Sequence, residues 1–280
     1  MKKLLRDYFP RVYAALRFFY GMTPPAILKR NRLEKERLIR RENKIKRNAE
    51  IMDDVFNGDY SVANGPFKGM KYIESSVGSS LLPKILGSYE EPIHEWVETA
   101  IAKQYDKILD IGCAEGYYAV GFAMLLPGAE IIAYDTNPDA LELCRELIVL
   151  NGVDNVELRE GCDFQELDNL ITDNTLVFCD IEGAERELLD PARAEKLKLA
   201  DLIIESHDSY MPGTTEMLID RFGGTHKISV AVDYPTRVKP YSTPHGVGTD
   251  VMAEIIDENR AEFMRFLHCE SFVGAQRAGK

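Results

Sequence analysis

The stretch 107–118, KILDIGCAEGYY, limits most strongly what this chain can fold into. Its pattern predicts a short apolar strand, a turn rich in small residues, and a helix that begins directly afterwards. Small residues after a strand let a ligand approach the backbone closely, because no side chain stands in the way. The first turn of the helix directs unpaired N–H groups toward the same point. The stretch therefore predicts a ligand-binding turn at the end of a strand.

Beyond this turn, the sequence alternates between strand and helix patterns. Strands are predicted at 107–111, 130–135, 155–159, 175–180 and 201–206, and then at 227–232 and 263–270. Helices are predicted at 92–102, 117–126, 138–150, 183–198, 213–222 and 250–258. Alternating strands and helices are typical of a doubly wound α/β fold with a parallel sheet. The returning pair of strands at the end interrupts this alternation.

The first fifty residues differ in charge from the rest of the chain. They hold 15 basic and 5 acidic residues, whereas 51–280 holds 19 basic and 41 acidic residues. Helical patterns at 4–20 and 26–56 carry apolar stripes among the basic side chains. We therefore expect a basic N-terminal helical extension over 1–58 and a ligand-binding domain over 59–280.

Two kinds of contact suit this basic extension. Its apolar stripes favour packing on the body of the protein or on a second copy in a homo-oligomer. Its basic face alternatively suits the peripheral binding of residues 1–56 to an anionic membrane surface. Nucleic acid is not expected, because the long helix lacks interleaved aromatic residues and the rest of the chain is acidic.

The cysteines indicate the compartment. The five cysteines lie at 113, 144, 162, 179 and 269, and no two of them have C-x-x-C spacing. A cysteine-based zinc site is therefore not expected, and the thiols are predicted to be reduced, as in a cytoplasmic protein. The sequence shows neither the pattern of a secretory signal nor a bilayer-spanning apolar stretch, so membrane contact is expected only as a peripheral association at the inner surface.

Chemically active side chains follow the predicted strands where those strands end. Open parallel sheets bind ligands beyond the carboxyl ends of their strands, so these side chains are expected to meet at one site. They are Asp110 to Gly116, Asp135, Cys162, Asp163, Asp180, and Glu205 to Asp208. Asp135 lies about two dozen residues past the first glycine, which suits a carboxylate that accepts both hydroxyls of a ribose. The spacing Gly112-x-x-x-Gly116 lacks the third glycine of dinucleotide-binding turns, which disfavours a nicotinamide cofactor.

These residues carry a resemblance to a known family. The run Asp110-x-Gly112-x-x-x-Gly116, the acid Asp135 and Asp163 after the third strand resemble class I S-adenosylmethionine-dependent methyltransferases. The resemblance covers roughly residues 85–272 and leaves the basic extension outside. Within that class, the run from Cys179 to Glu185, CDIEGAE, is similar to the D-[VI]-E-G-x-E signature of FkbM-type methyltransferases. Those enzymes mostly methylate oxygen atoms of sugars, polyketides and other secondary metabolites.

The resemblance implies a fold and a cofactor. The fold is an α/β, doubly wound Rossmann-like sheet of seven mostly parallel strands, with an antiparallel last strand and preceding N-terminal helices. The cofactor is S-adenosyl-L-methionine. The residues that match the cofactor site are Asp110, Gly112, Cys113, Ala114, Glu115, Gly116, Tyr117, Asp135, Thr136, Asp163, Phe164 and Asp180.

The resemblance also implies roles within this set. The turn from Gly112 to Gly116 would pass under the methionine part of the cofactor, with Asp110 shaping the turn. Asp135 would hold the ribose. Asp163 would accept from the adenine amino group, with Phe164 beside the ring. Tyr117 or Tyr118 would lie over the cofactor or, alternatively, pack behind the turn.

Methyl transfer to a hydroxyl also needs a group that removes the hydroxyl proton. His207 follows the fifth strand, near the expected acceptor, and is predicted as the general base; the alternative is a histidine that caps the next segment. Asp180 and Glu205 end neighbouring strands and are further candidate catalytic residues. Metal-dependent O-methyltransferases place carboxylates at comparable strand ends, so these two acids either bind Mg²⁺ or form hydrogen bonds without a metal.

The sequence thus predicts an O-methyltransferase whose acceptor is a small molecule, a saccharide or a glycosylated or secondary metabolite. The alternative is a methyltransferase-fold scaffold without activity. In that case the basic extension would recruit it to a glycosyltransferase or another partner in glycan assembly. The complete set of cofactor residues favours the enzyme.

Overall fold

The structure is a computed structural model, and it describes residues 24–234, 237, 239–260 and 263–275. The chain divides into two units, with the boundary between Asp54 and Val55. Most of the long helix α1 (Pro24–Phe56) belongs to the first unit, and its side chains up to residue 46 are mostly exposed. The helix predicted over 4–20 lies outside the described residues. No helix in the described part of the chain has the length and hydropathy to cross a bilayer.

The second unit alternates strands and helices. Its strands are β1 (Lys107–Ile111), β2 (Glu130–Tyr134), β3 (Val156–Arg159), β4 (Thr175–Cys179), β5 (Asp201–Ser206), β6 (His226–Val232) and β7 (Arg265–Ser271). Its helices are α2 (Leu81–Leu86), α3 (His94–Lys103), α4 (Tyr117–Leu125), α5 (Pro138–Asn151), α6 (Phe164–Leu170), α7 (Glu185–Leu188), α8 (Thr214–Phe222), α9 (Thr249–Ile255) and α10 (Phe272–Ala275). Short 3₁₀ turns cover Glu91–Ile93 and Glu195–Lys198.

The strands form one seven-stranded sheet in the order β3-β2-β1-β4-β5-β7-β6. Neighbouring strands from β3 to β5 are parallel, whereas β7 runs antiparallel to both β5 and β6. This architecture confirms the predicted Rossmann-like, mostly parallel sheet with an antiparallel last strand. The strand order reverses direction between β1 and β4, so a crevice opens beyond their carboxyl ends, where such sheets bind ligands.

The helix behind the glycine turn lies inside the core. Its residues 117–123 are all buried, as expected for a helix that is apolar on every side. The ring of Tyr118 stacks on Phe178 of β4 with the ring centroids 4.0 Å apart, and Phe67 contacts Tyr117 edge to face. These contacts fix α4 between the sheet and the segment around Phe67, and so they fix the turn that precedes it.

The prediction of a single helix over 183–198 was wrong. The chain forms only the short α7 and, after an irregular stretch, the 3₁₀ turn Glu195–Lys198. Pro191 explains the break, because a proline disfavours helical backbone at the residue before it. That residue, Asp190, instead accepts a hydrogen bond from the backbone N–H of Ala192 at 2.9 Å. Such a local bond stabilises a turn in place of a helix.

Candidate functional site

A cavity of about 1060 Å³ lies at the carboxyl ends of β1, β4 and β5. Most of the predicted site residues line it together: Asp110, Gly112, Cys113, Ala114, Tyr117, Asp135, Thr136, Asp163, Phe164, Asp180, Glu205 and His207. Tyr118 also lines it, although its ring stacks on the sheet. Glu115 and Gly116 do not belong to its lining. The cavity therefore unites the glycine turn with the residues that end the fourth and fifth strands.

Each glycine of the turn makes room for another part of the protein. A Cβ atom at Gly112 would lie 1.6 Å from the backbone oxygen of Asp180. A Cβ atom at Gly116 would lie 2.5 Å from Sγ of Cys144 in α5. Both glycines have φ above +90°, a region that side chains disfavour. Gly116 thus provides the close helix packing for which dinucleotide-binding turns use a third glycine.

Asp135 connects the end of β2 to the glycine turn. Its Oδ2 accepts from the backbone N–H of Ala114 at 2.9 Å, and its Oδ1 accepts from that of Asn137 at 2.7 Å. Ala114 has φ +47°, so this bond helps to hold an unusual backbone conformation. Because each carboxylate oxygen has a further lone pair, Asp135 retains acceptor capacity toward the cavity.

Asp163 and Phe164 lie at the start of α6. Asp163 caps this helix, since its Oδ1 accepts from the backbone N–H of Glu166 at 2.8 Å. The guanidinium of Arg193 lies 3.9 Å from the centre of the Phe164 ring, and both residues line the cavity. This end of the cavity combines a carboxylate with a cation–aromatic pair, a set that can bind a planar heterocycle by hydrogen bonding and stacking.

Asp110 presents a buried carboxyl group beneath the turn. Burial raises its pKa to about 7, and the nearby Asp135 carboxylate adds to this rise, although a hydrogen bond from the backbone of Ala119 opposes it. Its Oδ2 has no hydrogen-bond partner among the residues that the structure describes. A cationic ligand in the cavity would favour the ionised form of this group.

Glu115 does not line the cavity and is fully buried. Its carboxylate accepts from Nζ of Lys84 at 2.5 Å, from the hydroxyls of Tyr72 and Ser76 at 2.7 Å each, and from the backbone N–H of Val77 at 3.0 Å. Burial would raise the pKa of Glu115, but Lys84 and these hydrogen bonds outweigh it and hold the pKa below its ordinary value. Glu115 therefore fastens the segment around Val77, which lines the cavity, to the glycine turn.

His207 follows β5 and forms a pair with Glu185. Its Nδ1 lies 2.7 Å from Oε1 of Glu185, and both side chains are buried. An ionised carboxylate only accepts, so Nδ1–H is the donor in this bond. Nε2 faces the cavity and lies 3.5 Å from Oδ1 of Asp180. Burial lowers the pKa of His207, but the bond to Glu185 and the nearby Glu205 carboxylate outweigh it, so the pKa lies above its ordinary value.

A sharp turn after β4 places Glu185 against the histidine. Glu182 and Gly183 have φ of +53° and +105°, so two successive residues reverse the chain. A φ of +105° strongly favours glycine, which explains the residue type at 183. The backbone N–H of Gly183 also donates to Oε1 of Glu185 at 3.1 Å. The run 180–185 thus supplies one carboxylate to the cavity and another to the imidazole.

Arg260 binds the carboxylate of Glu205, and both residues line the cavity. Its guanidinium also lies 2.8 Å from Oε1 of Glu90, whose Oε2 accepts from the hydroxyl of Tyr118 at 2.5 Å. Burial, reinforced by the charge of Glu90 and opposed by Arg260, raises the pKa of Glu205 to about 7. Burial and the charge of Glu205 likewise raise the pKa of Asp180 well above its ordinary range. Both carboxyl groups therefore bind their protons more tightly than an exposed acid does.

Asp180, Glu205 and His207 are close enough to share a cation. One potential ligand atom from each lies within 4.8 Å of the other two. Oδ1 of Asp180 is buried and has no hydrogen-bond partner among the described residues. The predicted ligands thus lie together, but the guanidinium of Arg260 already binds Glu205, and its positive charge disfavours a second cation there.

Three residues that organise this site carry no role in the sequence prediction: Glu90, Glu185 and Arg260. Glu185 closes the run from Asp180, so that run is the signal that could have identified it. Glu90 and Arg260 lie outside the helices and strands, and no periodicity predicts where such residues meet. Glu90 also has φ +52°, and a glutamate in the sequence does not predict such a backbone conformation.

Comparisons with known proteins agree with this geometry. Residues 102–198 match a family model described as "Methyltransferase domain". The chain is 33% identical over 102 residues to the release factor glutamine methyltransferase of Deinococcus radiodurans, an alignment that covers 35% of this chain and 35% of that protein. The chain thus spans about a third of the length of this curated relative.

Solved structures with similar folds are more distant in sequence. A precorrin-6y C5,15-methyltransferase from Geobacter metallireducens is 16% identical, with 64% of this chain and 88% of that chain covered and a TM-score of 0.42. The O-methyltransferase TomG from Streptomyces achromogenes, which is involved in tomaymycin synthesis and was solved in complex with S-adenosylmethionine, is 17% identical, with 62% and 77% covered and a TM-score of 0.41. The strand order of the sheet itself carries the fold assignment. That order is the Rossmann-like methyltransferase fold, and residues 102–198 within it match a methyltransferase domain.

Proposed function

We propose that this chain is an S-adenosylmethionine-dependent O-methyltransferase that acts on a hydroxyl of a saccharide or of a glycosylated or secondary metabolite, with His207 as the general base. The observation that carries the proposal is that the glycine turn and His207, which is hydrogen-bonded to the buried Glu185, line one cavity. The proposed site of the methyl donor and the proposed general base would therefore lie in the same cavity.

The cavity has the groups that such a cofactor requires. S-adenosylmethionine, when bound, supplies a methyl group on a sulfonium that already activates it for transfer. Asp135 would bind the ribose hydroxyls through its remaining lone pairs. Asp163, Phe164 and Arg193 would hold the adenine, and the buried carboxyl of Asp110 would be ionised by the positive charge of the ligand. The backbone of the turn from Gly112 to Ala114 would lie beneath the methionine part.

The His207–Glu185 pair has the arrangement of a general base. Glu185 accepts a hydrogen bond from Nδ1–H and thereby fixes the tautomer in which Nε2 carries the lone pair. Nε2 faces the cavity, where it would take the proton of the acceptor hydroxyl. A pKa above the ordinary value makes Nε2 a stronger proton acceptor, and its neutral form becomes populated as pH rises through that pKa.

We assign Asp180 and Glu205 to positioning of the acceptor without a metal. The raised pKa of Asp180 favours its protonated form, in which the carboxyl group would donate a hydrogen bond to an acceptor oxygen, while Glu205 stays paired with Arg260. Arg260 supplies the positive charge that a divalent cation would otherwise supply beside Glu205. We therefore expect the reaction not to require Mg²⁺.

The acceptor class in this proposal comes from the FkbM-type resemblance of the run 179–185. Three members of this run contribute to the geometry around the cavity. Asp180 lines the cavity, Gly183 reverses the chain with a positive φ, and Glu185 accepts a hydrogen bond from His207. Sugars offer hydroxyls with high pKa values, so their methylation requires the proton acceptor that this run positions.

Calorimetry with S-adenosylhomocysteine tests the cofactor part. We expect binding by the wild type and a loss of about tenfold or more in Asp135→Ala, since two ribose hydrogen bonds disappear. Asp139→Ala is the matched control, because Asp139 is an exposed acid on the neighbouring helix and does not line the cavity. Absence of binding by the wild type would refute the proposal.

Methyl transfer from labelled S-adenosylmethionine to a panel of sugars and glycosides tests the chemistry. We expect His207→Gln to lower turnover by roughly 10²–10⁴-fold with little change in S-adenosylhomocysteine affinity. His245→Gln serves as control, because His245 does not line the cavity. Turnover should survive treatment with a chelator; activity that is lost on chelation and restored by Mg²⁺ would instead assign Asp180 and Glu205 as metal ligands.

A further inference from the structure

A second cavity, of about 620 Å³, adjoins the first on the acceptor side. The two cavities share Ser209, Glu258, Arg260 and Met264 in their linings, so these four residues form the boundary between them. The boundary begins two residues beyond the proposed base, His207. An acceptor whose hydroxyl reaches Nε2 of His207 would pass these four residues if it entered the second cavity.

The charges in this cavity indicate an uncharged occupant. Its described lining includes three arginines, and each is already bound to a carboxylate: Arg237 to Asp233 and Glu258, Arg260 to Glu205 and Glu90, and Arg265 to Asp208. A phosphate or carboxylate on the ligand would have to displace one of these acids. The carboxylates, by contrast, keep lone pairs that accept hydrogen bonds from hydroxyl groups.

Two aromatic side chains at this cavity add a stacking surface. Tyr234 and Phe263 both line it, and their rings lie edge to face with centroids 5.8 Å apart. They are 57% and 65% exposed, which is unusual for large aromatic side chains that contact each other. Exposed aromatic rings beside a polar cavity provide an apolar contact for one face of a ring-shaped ligand, while the polar groups bind its edge.

We propose that the second cavity is an acceptor subsite that binds an uncharged, hydroxylated ring, such as the neighbouring sugar of a disaccharide or glycoside, against Tyr234 and Phe263. This inference rests on the proposed function, because it places the methylated hydroxyl at His207. It adds that the acceptor spans at least two rings and bears no phosphate or carboxylate on the second. Glucose 6-phosphate should accordingly gain no affinity over glucose.

Saturation-transfer NMR on the complex with S-adenosylhomocysteine tests this subsite. The probes are glucose, glucose 6-phosphate, and the disaccharides maltose, cellobiose, lactose and trehalose. We expect at least one disaccharide to bind more tightly than glucose, and Tyr234→Ala and Phe263→Ala each to weaken it by about three- to tenfold. Val230→Ala is the control, because Val230 is an exposed apolar residue on β6 that lines neither cavity.

The outcomes separate this inference from the function on which it rests. If calorimetry shows S-adenosylhomocysteine binding but no disaccharide binds more tightly than glucose, the subsite is refuted and the cofactor assignment stands. Disaccharide binding that is unchanged in both aromatic variants also refutes it, as does preferential binding of glucose 6-phosphate. If S-adenosylhomocysteine does not bind, the proposed function fails and the subsite fails with it.

Discussion

At the scale of single residues, the protonation of His207 depends on the carboxylate of Glu185. Glu185 raises the pKa of His207 through their hydrogen bond, while burial lowers it. Glu185→Gln removes the charge and leaves the burial, so we expect the pKa of His207 to fall. Because the base form appears as pH rises through this pKa, the variant should become deprotonated at lower pH than the wild type. NMR titration of the His207 ring signals, assigned with His207→Gln, measures both values without an acceptor.

The raised pKa of His207 also makes the stability of the native state depend on pH. A histidine whose pKa is raised by folding stabilises the native state below its unfolded pKa, and this contribution is lost as pH rises through the folded pKa. Glu185→Gln should remove that pH-dependent contribution. Glu187→Gln, an exposed acid on the same short helix, is the matched control and should leave the His207 titration nearly unchanged. An identical His207 pKa in Glu185→Gln and wild type would contradict the assigned pair.

Glu115 and Lys84 form a second residue-scale unit, because both are almost completely buried. Glu115→Gln or Lys84→Met leaves one buried charge without its partner, and we expect each to destabilise the fold by about 3–5 kcal/mol. The double variant should lose less than the sum of the single losses, since neither charge remains. Urea denaturation measures these values, and Lys227→Met, which breaks the exposed pair with Glu270, should cost less than about 1 kcal/mol.

The affinity for the cofactor shows whether the Glu115–Lys84 pair also positions the segment 77–79 at the cavity or only stabilises the fold. Because Glu115 holds Val77 and the segment to Ser79 lines the cavity, the single variants should also bind S-adenosylhomocysteine more weakly. Destabilised variants with unchanged affinity would show that this segment does not contact the cofactor.

At the scale of elements, the glycine turn and α5 depend on each other. Gly116→Ala would bring a Cβ atom to within 2.5 Å of Sγ of Cys144 and strain a backbone with φ +96°. We expect a loss of about 1–3 kcal/mol in urea denaturation, together with weaker S-adenosylhomocysteine binding. Adding Cys144→Ala removes the clash but keeps the backbone strain, so it should restore part of the loss.

A control at another glycine separates these effects. Gly128 has no neighbouring atom within 4 Å of a Cβ position and lies outside the positive φ region, so Gly128→Ala should be nearly neutral. If Gly116→Ala were equally neutral, α5 would not constrain the turn.

Sequence periodicity could predict the strands and helices that alternate regularly along the chain. Asp135, Asp180 and His207 line one cavity because each follows a parallel strand, and parallel strands bring their carboxyl ends to one edge. Glu90 and Arg260 escaped prediction because they come from irregular segments that meet only through tertiary structure. The break at Pro191 was a local signal, but the apolar pattern around it favoured a single helix.

At the scale of the whole molecule, the predicted sheet was confirmed because the strand and helix patterns agree with one connectivity. The contents of the cavity were less predictable. Glu115 belongs to the motif but does not line the cavity, since Lys84, Tyr72 and Ser76 bind its buried carboxylate. A motif therefore predicts where the backbone passes, whereas side-chain direction depends on partners that are distant in sequence.

The division of the chain into two units allows a last prediction at this scale. Among the residues that the structure describes, those that line the two cavities all belong to 55–280, whereas side chains of α1 up to residue 46 are mostly exposed. A chain that lacks residues 1–46 keeps the buried Ile51 and Met52, so we expect it to fold and bind S-adenosylhomocysteine as the full chain does. At a ligand concentration of about 100 times Kd, binding should stabilise both proteins by about 2.7 kcal/mol. Thermal denaturation with and without ligand measures this gain, and a truncated protein that folds but shows no ligand-induced rise in Tm would place part of the cofactor site in the basic extension.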